Sequence, residues 1–300
     1  MPRVSHVDTE AVRDAFRRGW LGGADLRKED EQKVKELVPL LGEVARMASK
    51  LSAETFWAVD LCAGKGALGV LSSLLVLRER KHVVQIIERD NKYAKRCLDA
   101  AHILGVNHEV SFHTAEVTVR AAWPSARTDL VLALHACGGA SDDVIDTAIA
   151  VDARAILLVP CCYGAGPRHE GAGLDVKAQQ LADAWVAQLP LPTHAIVSKR
   201  MAQSFIDAER TLRLEAAGYE TEVVEAFAAT LSPHNLLWRA RRVKEPVRTK
   251  RAADTLAQLL RGAPGLVPGP SNFRREAKVQ RQVRLRSVGQ RVPLPLPEGL

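Results

Sequence analysis

The sequence lacks the segments that would place the chain in or across a membrane. Its 300 residues contain no apolar run long enough to span a bilayer, and residues 1–10 contain no apolar signal-peptide region. The five cysteines form neither a C-x-x-C pair nor the framework of a secreted disulfide protein. We therefore expect a cytoplasmic protein with no membrane partner.

Aromatic residues are scarce, at 5%, and the sequence contains no RNA-recognition fingerprint and no internal repeat. Positive charge, by contrast, is concentrated at one end. Residues 241–300 carry a net charge of +10, whereas residues 1–240 carry −3. Basic tails commonly bind nucleic acid, so we expect RNA as a partner. A solvated tail that aids solubility is the alternative, and nothing in the sequence indicates the oligomeric state.

The spacing of apolar residues predicts an α/β fold. Residues 1–56 have helical periodicity interrupted by Pro39, with Lys33 and Lys35 expected on a solvated face. From Phe56 onward, apolar strands alternate with amphipathic helices, which is typical of a parallel sheet. The predicted helices include residues 67–80, residues 142–150 with Ser141 as N-cap, residues 175–189 and residues 199–217.

The last two predicted strands, residues 220–226 and 236–241, are joined by a short link and should be antiparallel. We therefore predict a seven-stranded, mostly parallel sheet with a reversed last strand, which is a Rossmann-like arrangement.

A glycine-rich turn follows the first predicted strand in the segment DLCAGKG, residues 60–66. Gly64 and Gly66 permit a tight turn and a close approach of the backbone to a ligand. With Gly69 they also satisfy the dinucleotide pattern G-x-G-x-x-G, and Glu88 ends the second strand where a ribose-binding acid is expected. Asp60 would repel a pyrophosphate but suits an ammonium group. The segment therefore favours S-adenosylmethionine over NAD.

Three further segments accompany this turn: ALHACG (residues 133–138), PCCYG (residues 160–164) and SPHNLL (residues 232–237). In this order the four segments resemble class I S-adenosylmethionine-dependent methyltransferases. The resemblance is nearest to the subgroup that contains the methyltransferase half of glutathione S-transferase C-terminal domain-containing protein and tRNA 2′-O-methyltransferase relatives. It implies a methyltransferase domain over residues 56–242, between a helical extension (residues 1–55) and a basic, proline-containing tail (residues 243–300) that is partly disordered.

The resemblance and the strand order imply where S-adenosylmethionine would bind, because ligands of open α/β sheets lie beyond the carboxyl ends of the strands. Asp60, Cys62, Gly64 and Gly66 would hold the methionine part, and Glu88 the ribose hydroxyls. Two more cofactor-binding residues are expected at the ends of later strands, namely Glu116 near the adenine and His135 near the reactive methyl group.

The catalytic candidates follow later strands of the sheet, and they are His135, Cys137, Tyr163, His234 and Asn235. His135 could position an acceptor or act as a base. The cysteines have three interpretations: buried packing, a zinc site built from His135, Cys137, Cys161 and Cys162, or covalent catalysis. We favour packing and predict no metal. A turn would also explain Ser232, His234 and Asn235 without a catalytic role.

The sequence thus predicts an S-adenosylmethionine-dependent methyltransferase whose acceptor is RNA, with tRNA preferred. Methylation of a protein or a small molecule is the first alternative. A noncatalytic RNA-binding protein that keeps the fold is the second, and a nicotinamide oxidoreductase is a distant third.

Overall fold

Seven strands form one sheet in the computed structural model of the chain, which describes residues 7–124, 127–160, 163, 194–232 and 234–261. Four of the first five strands are mostly apolar and buried, as expected for strands that are covered on both faces, whereas the edge strand at residues 110–114 is more exposed. The strands are β1 (Phe56–Leu61), β2 (His82–Glu88), β3 (Val110–Thr114), β4 (Leu130–Ala136), β5 (Ala155–Pro160), β6 (Tyr219–Glu225) and β7 (Leu236–Arg242).

The strand directions confirm the predicted topology. The order across the sheet is β3-β2-β1-β4-β5-β7-β6, and β1 to β5 are all parallel. β7 is antiparallel to both of its neighbours, β5 and β6, because the short link between β6 and β7 reverses the chain. The carboxyl ends of β1 to β5 therefore meet at one edge of the sheet, which we call the carboxyl edge.

Helices cover both faces of this sheet. They are α1 (Thr9–Leu21), α2 (Lys28–Ala48), α3 (Ala67–Leu75), α4 (Ala94–Ile103), α5 (Ala140–Ala150), α6 (Ala195–Ala216) and α7 (Pro246–Arg261). Neighbouring residues of β1 point to opposite layers: Ala58 packs in the cluster formed with α1 to α4, and Val59 in the cluster that contains Val144 of α5 and Leu214 of α6. No helix in the described ranges is both long and apolar enough to cross a membrane.

The N-terminal helices belong to the core on one face of the sheet. Leu37 and Leu41 of α2 are fully buried in the same cluster as Phe56 of β1. The expected interruption at Pro39 is wrong, because this residue lies inside α2. Proline removes one hydrogen bond, to the carbonyl four residues earlier. That carbonyl belongs to Lys35, whose exposed position leaves it open to water.

Two other helix predictions need correction. The helix after the glycine-rich turn ends at Leu75 rather than near residue 80, and the side chain of Arg80 instead lies over the ring of Phe56. Ser141 is not an N-cap, since it lies inside α5 and its hydroxyl donates to the Ala136 carbonyl at 2.7 Å. The helix predicted over residues 175–189 lies outside the described residues.

The predicted basic tail begins with a helix. α7 buries Ala252, and Arg248 donates to Glu215 of α6 at 3.0 Å. This part of the tail is therefore ordered against the domain, whereas residues 262–300 lie outside the described part of the chain.

A buried ion cluster joins α5 to α6. Asp142 accepts two hydrogen bonds from Arg210, at 3.1 and 2.9 Å, and one from Arg213. The side chains of Asp142 and Arg210 are each only 3% exposed. Burial alone would raise the pKa of Asp142, but the two guanidinium groups outweigh burial and lower this pKa below its usual value.

We predict that Asp142→Ala lowers the free energy of unfolding by about 3–5 kcal/mol, because it leaves two guanidinium groups buried without their common partner. Urea titration at neutral pH measures the loss. The matched control is Asp99→Ala, which removes an exposed partner of Lys95 on α4 and should cost under about 1 kcal/mol. Equal effects of the two substitutions would contradict a structural role for the cluster.

Candidate functional site

A cavity of about 640 Å³ opens at the carboxyl edge of the sheet. Its walls come from residues that follow four different strands: Cys62 and Gly64 after β1, Glu88 at the end of β2, Glu116 after β3, and His135 in β4. The volume is within the range of small-molecule sites. The cavity thus brings together five of the seven residues that the sequence predicts to bind the cofactor.

Gly66, one of the two others, lies outside the described cavity lining and shapes the turn. Gly64 and Gly66 have φ angles of +54° and +72°, in the left-handed region that favours glycine. A Cβ atom at Gly66 would lie 2.5 Å from the sulfur of Cys97, whereas a Cβ at Gly64 would meet nothing within 4 Å. Gly66 therefore lets α4 pack closely, and Gly64 leaves open space beside the cavity.

Two carboxylates fix this turn through backbone amides. Glu88 accepts from the Gly64 amide through Oε2 and from the Asp90 amide through Oε1, both at 3.0 Å. Asp60 accepts from the Gly69 amide at 2.8 Å. Glu88 lines the cavity and each of its oxygens keeps a lone pair for a ligand hydroxyl.

Asp60 lies beneath the turn and is not among the described residues that line the cavity. Its side chain is buried, and its Oδ1 atom has no hydrogen-bond partner within the described ranges. Burial raises the pKa of Asp60 to about 7, despite the opposing effects of the Gly69 amide and Lys33. Its predicted contact with the ammonium group of a cofactor stays a prediction.

His135 occupies an irregular position in β4. The register with β5 shifts between Leu134 and Ala136, so His135 is the residue of a β-bulge, and its φ of +61° is rare for a non-glycine residue. Cys62, across the cavity, has a φ of +53°. Such bulges and strained backbones commonly re-aim side chains at functional sites.

The ring of His135 is held by a residue of α2. Its Nε2 atom lies 2.9 Å from Oε2 of Glu36, and Lys33 donates to the same carboxylate oxygen at 3.3 Å. Burial alone would raise the pKa of Glu36, but the hydrogen bond from His135 and the charge of Lys33 lower it overall. The expected solvated face is confirmed for Lys35, which is exposed, whereas Lys33 is only partly exposed and turns to Glu36. Burial lowers the pKa of Lys33.

The cysteines of this region behave differently from one another. Cys62 is partly buried, and burial raises the pKa of its thiol to about 12, so it does not serve as a thiolate at neutral pH. Cys137 lines the cavity next to His135. Cys161 and Cys162 lie outside the described residues, so the zinc and covalent interpretations stay untested.

Tyr163 and His234 meet at a second cavity, of about 440 Å³, between β5, α6 and β7. Their rings are 5.7 Å apart in an edge-to-face arrangement, and the Tyr163 hydroxyl donates to Asp207 of α6 at 2.6 Å. Burial raises the pKa of Asp207 to about 6. Asn235 is buried in the β6–β7 link, where its amide donates to the Phe227 carbonyl at 2.7 Å, a contact that explains this residue without catalysis.

Sequence reasoning missed Glu36, Asp207 and Asp143, the last of which is buried and lines the first cavity. For Glu36 a signal existed. It lies at helical spacing from Leu37, Leu40 and Leu41, so it is a carboxylate within an apolar stripe.

A family model described as a methyltransferase domain matches residues 32–165. Residues 32–165 thus resemble a methyltransferase domain. The matched segment extends from Lys33 and Glu36 of α2 through the glycine-rich turn past the end of β5, so it contains all the described residues that line the first cavity. The resemblance inferred from the sequence is confirmed for this segment.

The methyltransferase domain also has relatives of known sequence. A glutathione S-transferase C-terminal domain-containing protein of Xenopus laevis is 26% identical over 227 residues, which cover 68% of this chain and 33% of the relative. The human protein of that name is 26% identical over 224 residues, covering 70% and 32% of the two chains. The chain thus aligns with about a third of the length of these relatives.

Solved structures with a similar arrangement include two methyltransferases. The SAH-bound methyltransferase PaMTH1 of Podospora anserina is 12% identical, with a TM-score of 0.48 over 77% of this chain and 88% of that one. The SAH-bound magnesium protoporphyrin IX methyltransferase of Synechocystis is 12% identical, with a TM-score of 0.47 over 78% and 99%.

The residues of the methyltransferase domain fit S-adenosylmethionine. The open space beside Gly64 admits a ligand against the turn, and Glu88 offers two carboxylate oxygens to a vicinal diol. The Oδ1 atom of Asp60, beneath the turn, is an unpaired acceptor among the described residues, the kind of atom to which a ligand ammonium group could donate. Glu116 lines the cavity wall at which the adenine is predicted.

We predict that Glu88→Ala weakens S-adenosylhomocysteine binding by about 10–100-fold, because charge-assisted hydrogen bonds are worth about 1.5–3 kcal/mol. Isothermal titration calorimetry measures the dissociation constant. Glu79→Ala, an exposed acid outside the cavity, is the control and should leave the affinity unchanged. Equal affinities of wild type and Glu88→Ala would remove Glu88 from the cofactor site.

The raised pKa of Asp60 predicts a pH-dependent stability difference. The folded protein keeps this proton up to about pH 7, whereas an unfolded aspartate loses it near pH 3.9. The contribution of Asp60 to the free energy of unfolding therefore falls as the pH rises from the unfolded pKa to the folded pKa. Asparagine mimics the protonated acid, so between pH 5 and pH 8 the free energy of unfolding of Asp60→Asn should gain about 2.5 kcal/mol relative to that of wild type.

Urea unfolding of both proteins at the two pH values measures this gain, without cofactor present. A difference between the proteins that stays constant with pH would show that Asp60 is charged throughout.

Proposed function

We propose that the chain transfers a methyl group from S-adenosylmethionine to RNA, and that residues 241–300 attract the RNA backbone. One observation carries the choice of acceptor: this fifth of the chain has a net charge of +10, whereas the rest has −3. Lysine and arginine side chains that neutralise phosphates give strong, salt-sensitive and sequence-independent binding. A separate basic segment of this kind suits a polyanionic acceptor better than a small molecule.

The ion pairs among the described residues show which basic side chains are already paired with acids and which remain available to phosphates. Arg241, Arg242 and Arg248 are paired with acids of the domain. Lys250 and Arg251 are exposed on α7, and no ion pair involves them among the described residues. Residues 262–300 add seven basic residues against two acids. We therefore assign the RNA contact to α7 and the segment after it.

Methyl transfer requires of the protein chiefly that it position the acceptor. Bound S-adenosylmethionine supplies a methyl group that is already electrophilic. The chain must hold the acceptor atom in line with that group, and such positioning is worth as much as about 7–11 kcal/mol. His135 lines the cavity at the edge where the acceptor would approach, and we assign the rest of the acceptor to the second cavity, which Tyr163 and His234 line.

The test is transfer of tritiated methyl groups from S-adenosylmethionine to total RNA, total protein or a small-molecule extract. We expect label in RNA, and in tRNA first after size separation. Label in protein or in small molecules alone would replace the proposal with the corresponding alternative. Cofactor binding without label in any fraction would favour a noncatalytic RNA-binding protein.

The role of the tail predicts a change in salt dependence. Arg274→Gln, Arg275→Gln and Lys278→Gln together in the full chain should weaken RNA binding about tenfold or more at low salt. The slope of log affinity against log salt should become shallower by about 2 to 3. The control changes the exposed residues Lys50, Arg78 and Lys81, which lie near the opposite edge of the sheet, to Gln. If both triple variants bind alike, the tail is not the anchor.

A further inference from the structure

Helix α2 carries a carboxylate to the cavity from outside the sheet. The Glu36 side chain is 8% exposed, and its Oε2 atom accepts from both His135 and Lys33. A carboxylate in the apolar stripe of a helix is costly unless charge and hydrogen bonds compensate for its burial. The pairing therefore explains how Glu36 is tolerated, and Lys33 keeps it ionised.

His135 is constrained on every side that the structure describes. Its backbone is a bulge with a positive φ, its Nε2 atom is engaged by Glu36, and the ring of Phe227 lies against it with centroids 6.4 Å apart. Because a carboxylate only accepts, Nε2 must carry the proton. In the neutral ring the other nitrogen, Nδ1, then has a free lone pair, and within the described ranges no residue donates to it.

We infer that Glu36 is a positioning residue that fixes His135 as a proton acceptor toward the methyl acceptor. Since the carboxylate holds the Nε2–H bond, Nδ1 is the atom left to take a proton, and the imidazolium that forms is stabilised by the same carboxylate. This inference rests on the proposed function and narrows it. The methylated group must carry a proton that it loses on transfer, as a ribose hydroxyl does.

The proton balance of the step is simple for a hydroxyl acceptor. The O–H bond breaks, its proton joins Nδ1 of His135, and the oxygen uses the released electron pair to bond the methyl carbon. The sulfur of the donor keeps the electrons of its former bond to that carbon. The proton later leaves Nδ1 to water, which restores the pair with Glu36.

The charges around the pair decide which substitutions are informative. Lys33 faces Glu36 from the same helix, and its charge also interacts with the charges of Asp60 and Lys65. Removing the charge of Glu36 alone leaves Lys33 without its partner. We therefore pair Glu36→Gln with a second variant, Lys33→Met with Glu36→Gln, which preserves the net charge, and use the exposed Glu29→Gln on α2 as control.

The kinetic test is a double-mutant cycle on methyl transfer to RNA by the full chain. Glu36→Gln should lower kcat by about 10–100-fold, both as a single change and together with Lys33→Met. The KM for RNA and the affinity for S-adenosylhomocysteine should stay within about twofold of wild type. In a His135→Ala background the same change should have no further effect, because Glu36 acts only through His135. A merely structural role would give multiplicative losses, and wild-type kcat in Glu36→Gln would refute the inference.

A readout independent of activity separates this inference from the proposed function. In ¹⁵N-edited spectra of imidazole-labelled protein, the protected Nε2–H signal of His135 should be present in wild type and Glu29→Gln, and lost in Glu36→Ala. His135→Asn assigns the signal. If the signal is present but wild type methylates nothing, the proposed function fails and the pairing stands. If wild type methylates RNA without this signal, the positioning role is wrong.

Discussion

The turn between β1 and α3 is held in place by two carboxylates that accept backbone amides from it. Asp60 binds the Gly69 amide at the start of α3, and Glu88 binds the Gly64 amide from the neighbouring strand. The first contact ties the helix to its own strand, and the second ties the turn to β2. Because Glu88 also faces the cavity, the group that shapes the turn is available to a ligand bound against it. The cofactor site thus depends on the parallel pairing of β1 with β2.

The N-terminal helices are part of this arrangement. α2 buries Leu37 and Leu41 against the sheet, and the same face presents Glu36 and Lys33 at the carboxyl edge. The hydrophobic contacts of one helix therefore place two charged groups beside His135. The match of the methyltransferase family model from residue 32 onward includes both groups.

Helix α6 links the second cavity to the basic segment. Asp207, in its middle, holds Tyr163 beside His234, and Glu215, about two turns later, holds Arg248 of α7. A positive segment and a cavity lined by aromatic and polar groups are thus carried by one rigid element. The buried cluster of Asp142, Arg210 and Arg213 fixes that element to the sheet through α5.

The sequence by itself determined the sheet, its reversed strand and the glycine-rich turn, because these follow from local periodicity and from residues adjacent in the chain. It also predicted that Glu88, Glu116 and His135 lie at one edge of the sheet, since each lies at or close to the end of a strand and the strand ends of a parallel sheet converge. Only the tertiary structure decided that Pro39 is accommodated within α2 and that Ser141 lies inside α5, because both depend on solvation and contacts beyond the segment. It alone also paired Glu36 with His135, 99 residues apart. A charged residue in the apolar stripe of a helix indicates that its side chain is buried. Its partner depends on how the helix packs on the sheet.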